Sequence, residues 1–198
     1  MLFGEPFGGV IPGARGAVLG ALLRTDAPMT GRQLHALLSD DYSLWTVQEA
    51  LKTLMRLGLV NSQSIGRAGV HTINEDHVAV EPLRALLDPI AALTEVVQET
   101  VGDDVKTVIL FGSIARGVAS VNSDVDLAII APAGWGGRID LEDAVRTRLG
   151  NDCDVLVFTP EDFNRLSGTG EAEPVVRQIL TDGVPLIGSM QQRKIGAA

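Results

Sequence analysis

The chain has 198 residues and a single cysteine, Cys153, which excludes an intramolecular disulfide and a cysteine-rich zinc site. Cys153 sits in an apolar run and reads as a small buried hydrophobe. The three histidines, His35, His71 and His77, have no ligand-like spacing and read as surface or hydrogen-bonded residues rather than metal ligands. No apolar stretch reaches the roughly 18 residues of a membrane span. No charged segment followed by a long apolar core marks a secretory leader. A cytoplasmic protein without membrane association is therefore expected. Basic charge is also in short supply: 16 Lys+Arg stand against 25 Asp+Glu, a net charge of −9, which excludes the whole surface as a nucleic-acid platform. The deficit is uneven. Through residue 80 there are 6 basic against 7 acidic residues, and from residue 81 onward 10 against 18. Any DNA contact by the first part must therefore be local.

What the chain does have is apolar residues, 45% of the total, enough for packed cores in one or two domains. It also has one dense motif, Gly112-Ser-Ile-Ala-Arg-Gly-Val-Ala-Ser-Val-Asn-Ser-Asp-Val-Asp-Leu127. Asp124 and Asp126 are separated by one valine at the start of the apolar run Leu127–Ile130. On a strand they project to the same face. Two such carboxylates make a hard, oxygen-rich site suited to Mg²⁺. Upstream, Gly112-Ser113 ends another apolar run, Val108–Phe111. A glycine turn and a hydroxyl at a strand-to-helix junction offer N–H groups to a phosphate.

Gly112-Ser113 followed by Asp124-Val125-Asp126 resembles the core motif of the DNA polymerase β-type nucleotidyltransferase superfamily. The fuller string Gly-Ser-x-Ala-Arg-Gly … Ser-Asp-x-Asp-Leu resembles its small prokaryotic branch, the minimal nucleotidyltransferases. The resemblance implies an α/β (α+β) domain with a mixed sheet, read here with helices on one side. It implies a third carboxylate from a later strand. Asp154, in Cys153-Asp-Val-Leu-Val-Phe158, is the candidate, because a buried strand does not otherwise carry an aspartate. Asp152 reads better as an acid in the preceding turn. By the same resemblance Asp124, Asp126 and Asp154 are the catalytic and metal-holding residues for two Mg²⁺ ions, and Asp154 is a candidate to take the acceptor's proton. ATP or another nucleoside triphosphate is the expected donor, pyrophosphate the leaving group, and the hydroxyl of a small molecule, protein or RNA end the acceptor. Gly112 and Ser113 are expected at the phosphates. Arg116 either reaches phosphate oxygens or pairs with a site acid such as Asp124. Ser123 is expected near the nucleotide, fixing the turn through a local hydrogen bond. A second copy of the chain, as a homodimer, is a candidate source of acceptor-binding surface.

The first part of the chain reads differently. Residues 1–12 form a Gly- and Pro-rich arm, read as packing on a partner. Helical spacing covers Ala14–Arg24, then Gly31–Leu38 behind Thr30, then a third helix from the N-cap Ser43 to about Leu57. Leu59–Ile65 and Val70–Ile73 read as a hairpin. Three helices followed by a hairpin resemble a winged helix-turn-helix, whose second helix-turn-helix helix enters the major groove. By that resemblance Trp45, Thr46, Gln48, Lys52 and Arg67 are candidates for DNA contact. Glu49 on the same face opposes it, and winged helices also serve as docking or dimerisation modules. Leucines on both sides of Pro89 read as a connector. The expected division is therefore a winged-helix domain at 1–77, a helical connector at 78–101 and a nucleotidyltransferase domain at 102–198. A competing function is a DNA-binding regulator or antitoxin-like protein whose second domain senses nucleotide or binds a partner without turnover.

Overall fold

A computed structural model describes residues 1–120, 123–168 and 173–189. Val121 and Asn122 of the motif, and the last nine residues of the expected 102–198 domain, lie outside the described residues. The chain divides into two compact units, Leu2–Pro89 and Ile90–Ala198, the latter with Met1.

The first unit runs α1 (Gly13–Thr25), β1 (Met29–Thr30), α2 (Gly31–Leu37), α3 (Leu44–Arg56), β2 (Val60–Ile65), β3 (Ala68–Ile73) and α4 (Val80–Leu86). Its helix starts are chemically marked. The Thr30 N–H donates to Gln33 Oε1 at 2.8 Å while Gln33 N–H donates to Thr30 Oγ1 at 3.3 Å, a reciprocal cap that satisfies two otherwise free amides. Ser43 Oγ accepts from Thr46 N–H at 3.2 Å. After α3 the chain turns at Gly58, whose φ of +78° favours glycine. Leu34, Val47, Leu51 and Leu54 join Val18, Leu19 and Leu22 in one buried core. The sheet order is β1-β3-β2, all antiparallel. The two-residue β1 is absent from the sequence reading, because Asp26-Ala-Pro reads only as a break. It forms by pairing Met29 with His71 and Thr30 with Val70. The arm at residues 1–12 needs a correction as well. Its Phe7 is completely buried in this unit's own core, so that side chain is not offered to a partner.

The second unit runs α5 (Pro89–Val101), β4 (Thr107–Phe111), α6 (Gly112–Ala115), β5 (Val125–Ile130), α7 (Arg138–Leu149), β6 (Cys153–Phe158), α8 (Pro160–Gly168), α9 (Pro174–Asp182) and β7 (Val184–Ile187). Pro89 opens α5, a first-turn position where its missing N–H costs no helical bond. The sheet order is β6-β5-β4-β7. It is mixed: β5 and β6 are parallel, while β4 is antiparallel to both β5 and β7. β7 is a second element that pattern reading misses. Gly183 ends α9 and packs so closely that a Cβ there would lie 2.6 Å from Ile109 Cγ2. The four residues that follow pair with β4.

On one sheet face Ile109, Phe111 and Ala128 pack with Ile179 of α9, flanked by Phe158 and Phe163. Those two rings meet edge to face, 5.7 Å between centroids. On the opposite face Val108, Leu110, Leu127, Ile129 and Val155 are also inaccessible to solvent. Both faces are therefore covered. Among the described residues, no helix is long and apolar enough to cross a membrane.

Candidate active site

The carboxyl end of β4 and the amino ends of β5 and β6 lie side by side. Phe111 is in register with Asp126, and Asp126 with Asp154. Adjacent strands stand about 4.8 Å apart, and registered residues point to the same face. Asp126, Ala128 and Ile130 therefore share a face with Asp154, Leu156 and Phe158. The apolar pairs of this ladder lie deeper in the sheet and the acidic pair occupies its end. Asp124, two residues before Asp126, continues the same alternation just outside β5. Asp126 is half-buried, whereas Asp124 and Asp154 are exposed.

The electrostatics follow from this placement. Burial raises the Asp126 carboxyl above its ordinary range, and the negative charges of Asp154 and Asp124 raise it further. Arg116 works in the opposite direction. Arg116 forms no ion pair with Asp124 or another acid among the described residues; it is exposed and acts on Asp126 from a longer range. The neighbouring Cys153 thiol is pushed up to about 12, first by burial and then by Glu142 and the site acids. It stays a neutral packing group, as a buried cysteine should.

Gly112 has φ of +75°, and a Cβ on it would lie 1.9 Å from Asp126 Oδ2. The space left by the missing side chain is taken by the Asp126 carboxylate. Gly112 is thus the residue that permits Asp126 to sit against the elbow. Ser113 follows it, half-buried at the start of α6. Ser123 Oγ accepts from Ser120 N–H at 2.8 Å, and Ser123 N–H donates to Ser120 O at 3.1 Å. These bonds tie Ser123, directly before Asp124, to Ser120. Asn151 escaped the sequence reading. It is the one buried polar residue among those described, 7% exposed, and its Nδ2 donates to Ser123 O at 3.4 Å. It ties the entry of β6 to the entry of β5, and its only signal in the sequence is an amide two residues before an apolar strand.

Among the described residues, no three His, Cys, Asp or Glu side chains are gathered as a metal-holding group. The three aspartates are electrostatically coupled without being drawn into a cage, since like charges repel. The donor set nonetheless fits a hard divalent cation. It is all carboxylate oxygen, it converges from two registered strands, and its central member carries the penalty of burial beside two like charges.

The DNA-contact candidates lie in the first unit. Trp45 is 70% exposed on α3. Thr46 Oγ1 is 2.8 Å from Ser43 Oγ, and Lys52 Nζ pairs with Glu49 Oε1 at 2.6 Å. Gln48, Lys52 and Arg67 line one cavity, whereas Trp45 and Thr46 are not among its lining residues.

A family profile described as "Polymerase beta, Nucleotidyltransferase" matches residues 92–192. No curated protein matches the chain. Among solved structures, a toxin–antitoxin with AMP-PNP aligns at 22% identity over 52% of this chain and 76% of its own, with a TM-score of 0.40. A tri-AMPylated Shewanella oneidensis HEPN toxin in complex with MNT antitoxin aligns at 19% identity over 50% of this chain and 70% of its own, TM-score 0.34. A structure of the DNA recognition and protein interaction domains of HOP2 aligns at 20% identity over 31% of this chain and 100% of its own, TM-score 0.31.

Proposed function

The chain belongs to the polymerase beta nucleotidyltransferase family, and from that premise we propose that it transfers a nucleoside monophosphate, AMP from ATP, to an acceptor hydroxyl with release of pyrophosphate. The observation that carries this reading is the registered pair Asp126–Asp154, with Asp124 on the same face, beside the Gly112-Ser113 elbow.

In this reading Asp124 and Asp126 hold two divalent cations, and Asp154 completes the site. The chemistry the cations supply when bound is neutralisation of phosphate charge and polarisation of the attacking and leaving oxygens. The chain's own residues do the rest. Gly112 lets the Asp126 carboxylate lie against the elbow, and the Ser113 hydroxyl and N–H bind phosphate oxygens. Arg116 supplies positive charge to the phosphates and to the acids. Asp154 accepts the proton of the acceptor hydroxyl. The acceptor oxygen forms a bond to the α-phosphorus, the α–β phosphoanhydride bond breaks, and pyrophosphate leaves with the electron pair. The Ser120–Ser123 bonds and Asn151 fix the directions of the two acidic strand entries.

The N-terminal unit is proposed as a winged helix on its element order of helix, strand, two helices and hairpin. The competing reading, a DNA-binding regulator without turnover, ranks second. Of its five contact candidates, Trp45 and Thr46 lie outside the cavity that Gln48, Lys52 and Arg67 line, and Lys52 is already engaged by Glu49. Duplex binding draws its affinity from many phosphate contacts, and only Lys52 and Arg67 of the five candidates are cations.

The test is incubation with labelled nucleoside triphosphates and Mg²⁺, alone and with cell extract, for the native chain and for Asp124→Ala/Asp126→Ala. Label transferred by the native chain and not by the variant supports the proposal. Equal labelling by both, or none with salt-sensitive DNA binding instead, overturns it.

A further inference from the structure

The N-terminal unit holds a cavity of about 700 Å³ between α3, the start of α2 and the β2–β3 hairpin. Its volume falls in the roughly 300–1,000 Å³ range of small-molecule sites. The lining includes apolar Leu51 and Met55 and basic Arg32, Lys52 and Arg67, and no carboxylate. Lys52 is paired with Glu49. Arg32 and Arg67 have no hydrogen-bond or ion-pair partner among the described residues. His71, from β3, also lines the cavity, and its Nδ1 is buried without a partner.

Two guanidinium groups without partners among the described residues and an imidazole, lining one cavity with Leu51 and Met55, describe a site for an anion attached to a flat organic body. A neutral imidazole presents one donor and one acceptor nitrogen, while guanidinium forks fit phosphate oxygens. We propose that this cavity binds a small phosphate ester of nucleoside monophosphate size, its phosphate held by Arg32 and Arg67, its base over Leu51 and Met55, and a polar edge on His71. Duplex DNA is the poorer occupant. Three cations, one already paired, fall short of the roughly six to ten phosphate contacts from which duplex binders draw affinity. The inference does not depend on the transfer chemistry of the other unit.

The test is an NMR titration of the full chain with AMP in the presence of EDTA, following the His71 imidazole and the Gly69 amide beside it, with inorganic phosphate and a short random duplex as separate arms. The expected result is saturable shifts of both reporters by AMP, at lower concentration than by phosphate or duplex. In Arg32→Glu/Arg67→Glu, with amide dispersion unchanged elsewhere, binding should weaken by about ten-fold or more, as expected for loss of charge-assisted bonds. In Asp126→Asn the same shifts should persist. His71→Gln should weaken AMP while leaving the phosphate arm unchanged. The proposal is overturned if AMP shifts only resonances around Asp126, if the folded double variant binds AMP as the native chain does, or if the duplex moves these reporters at concentrations where AMP does not.

Discussion

Asp126 and Asp154 stand opposite each other on adjacent parallel strands, and Asp126 Oδ2 fills the place where any residue other than glycine at 112 would put its Cβ. One carboxylate is thereby fixed by backbone on one side and faced by a like charge on the other. The site carries an electrostatic cost, of the kind that marks places built for a cation or for proton transfer.

Asp126→Asn should separate function from stability. The substitution removes a central carboxylate, so transfer should fall by more than the roughly 10- to 100-fold typical of residues that only support a metal ligand. Stability should move the other way. The folded state raises the Asp126 carboxyl above its ordinary value, so the ionised form is disfavoured by folding. Its penalty is full at neutral pH and is relieved as pH falls through the raised value. In EDTA at pH 7 the variant should therefore melt above the native chain, and the difference should shrink in acid. Thermal scans across pH check both signs.

The same linkage governs Mg²⁺. Carboxylate ligands must be deprotonated to bind, and protons compete best at the group whose affinity for them is raised. The increase in melting temperature caused by a fixed Mg²⁺ concentration should grow as pH rises through the carboxylate range and then level off. A Mg²⁺ effect independent of pH would exclude Asp126 from the binding group.

Gly112→Ala should be far more damaging than Gly102→Ala. Both positions have positive φ, +75° and +73°, yet a Cβ at Gly102 meets nothing within 4 Å. Gly102→Ala should cost only the left-handed strain of about 1–2 kcal/mol. Gly112→Ala adds a collision with the Asp126 carboxylate, which must rotate away. Transfer should be lost in the first variant and kept in the second, with denaturant midpoints ranking them in the same order.

The acidic site was legible because its chemistry is local. A two-residue spacing gives a shared face whatever the tertiary fold, and Asp154 betrays itself as an acid in an apolar strand. Thr30 and Ser43 likewise announce helix starts through bonds made within three residues. What escaped depends on distant partners. Met29–Thr30 becomes a strand only because β3 runs beside it, and Val184–Ile187 only because β4 has a free edge. Phe7 looks like part of a loose arm until the core that receives it exists. The contact of Gly112 with Asp126 joins two residues fourteen apart, and no spacing rule reports it.

Ile179 of α9 anchors the helical cover over Ile109 and Ala128. It is completely buried, and Ile→Ala at such a position costs about 2–5 kcal/mol. The denaturant midpoint of the second unit should drop accordingly. The caps of the first unit are untouched, so helical signal from that unit should persist through the lowered transition.

Arg116 distinguishes charge from geometry. It lowers the Asp126 carboxyl without an ion pair at close range, so its effect on the acid needs only a positive charge. Phosphate binding by a guanidinium fork needs the planar pair of N–H groups as well. Arg116→Gln should therefore raise the Asp126 carboxyl further, moving the acidic limb of the pH profile for transfer upward, and should also raise the KM for the triphosphate. Arg116→Lys keeps the charge and loses the fork. It should restore the acidic limb to its native position while leaving KM raised. If the lysine variant restores both, Arg116 acts as a charge alone. If glutamine leaves the acidic limb in place, the coupling between Arg116 and Asp126 has no part in catalysis.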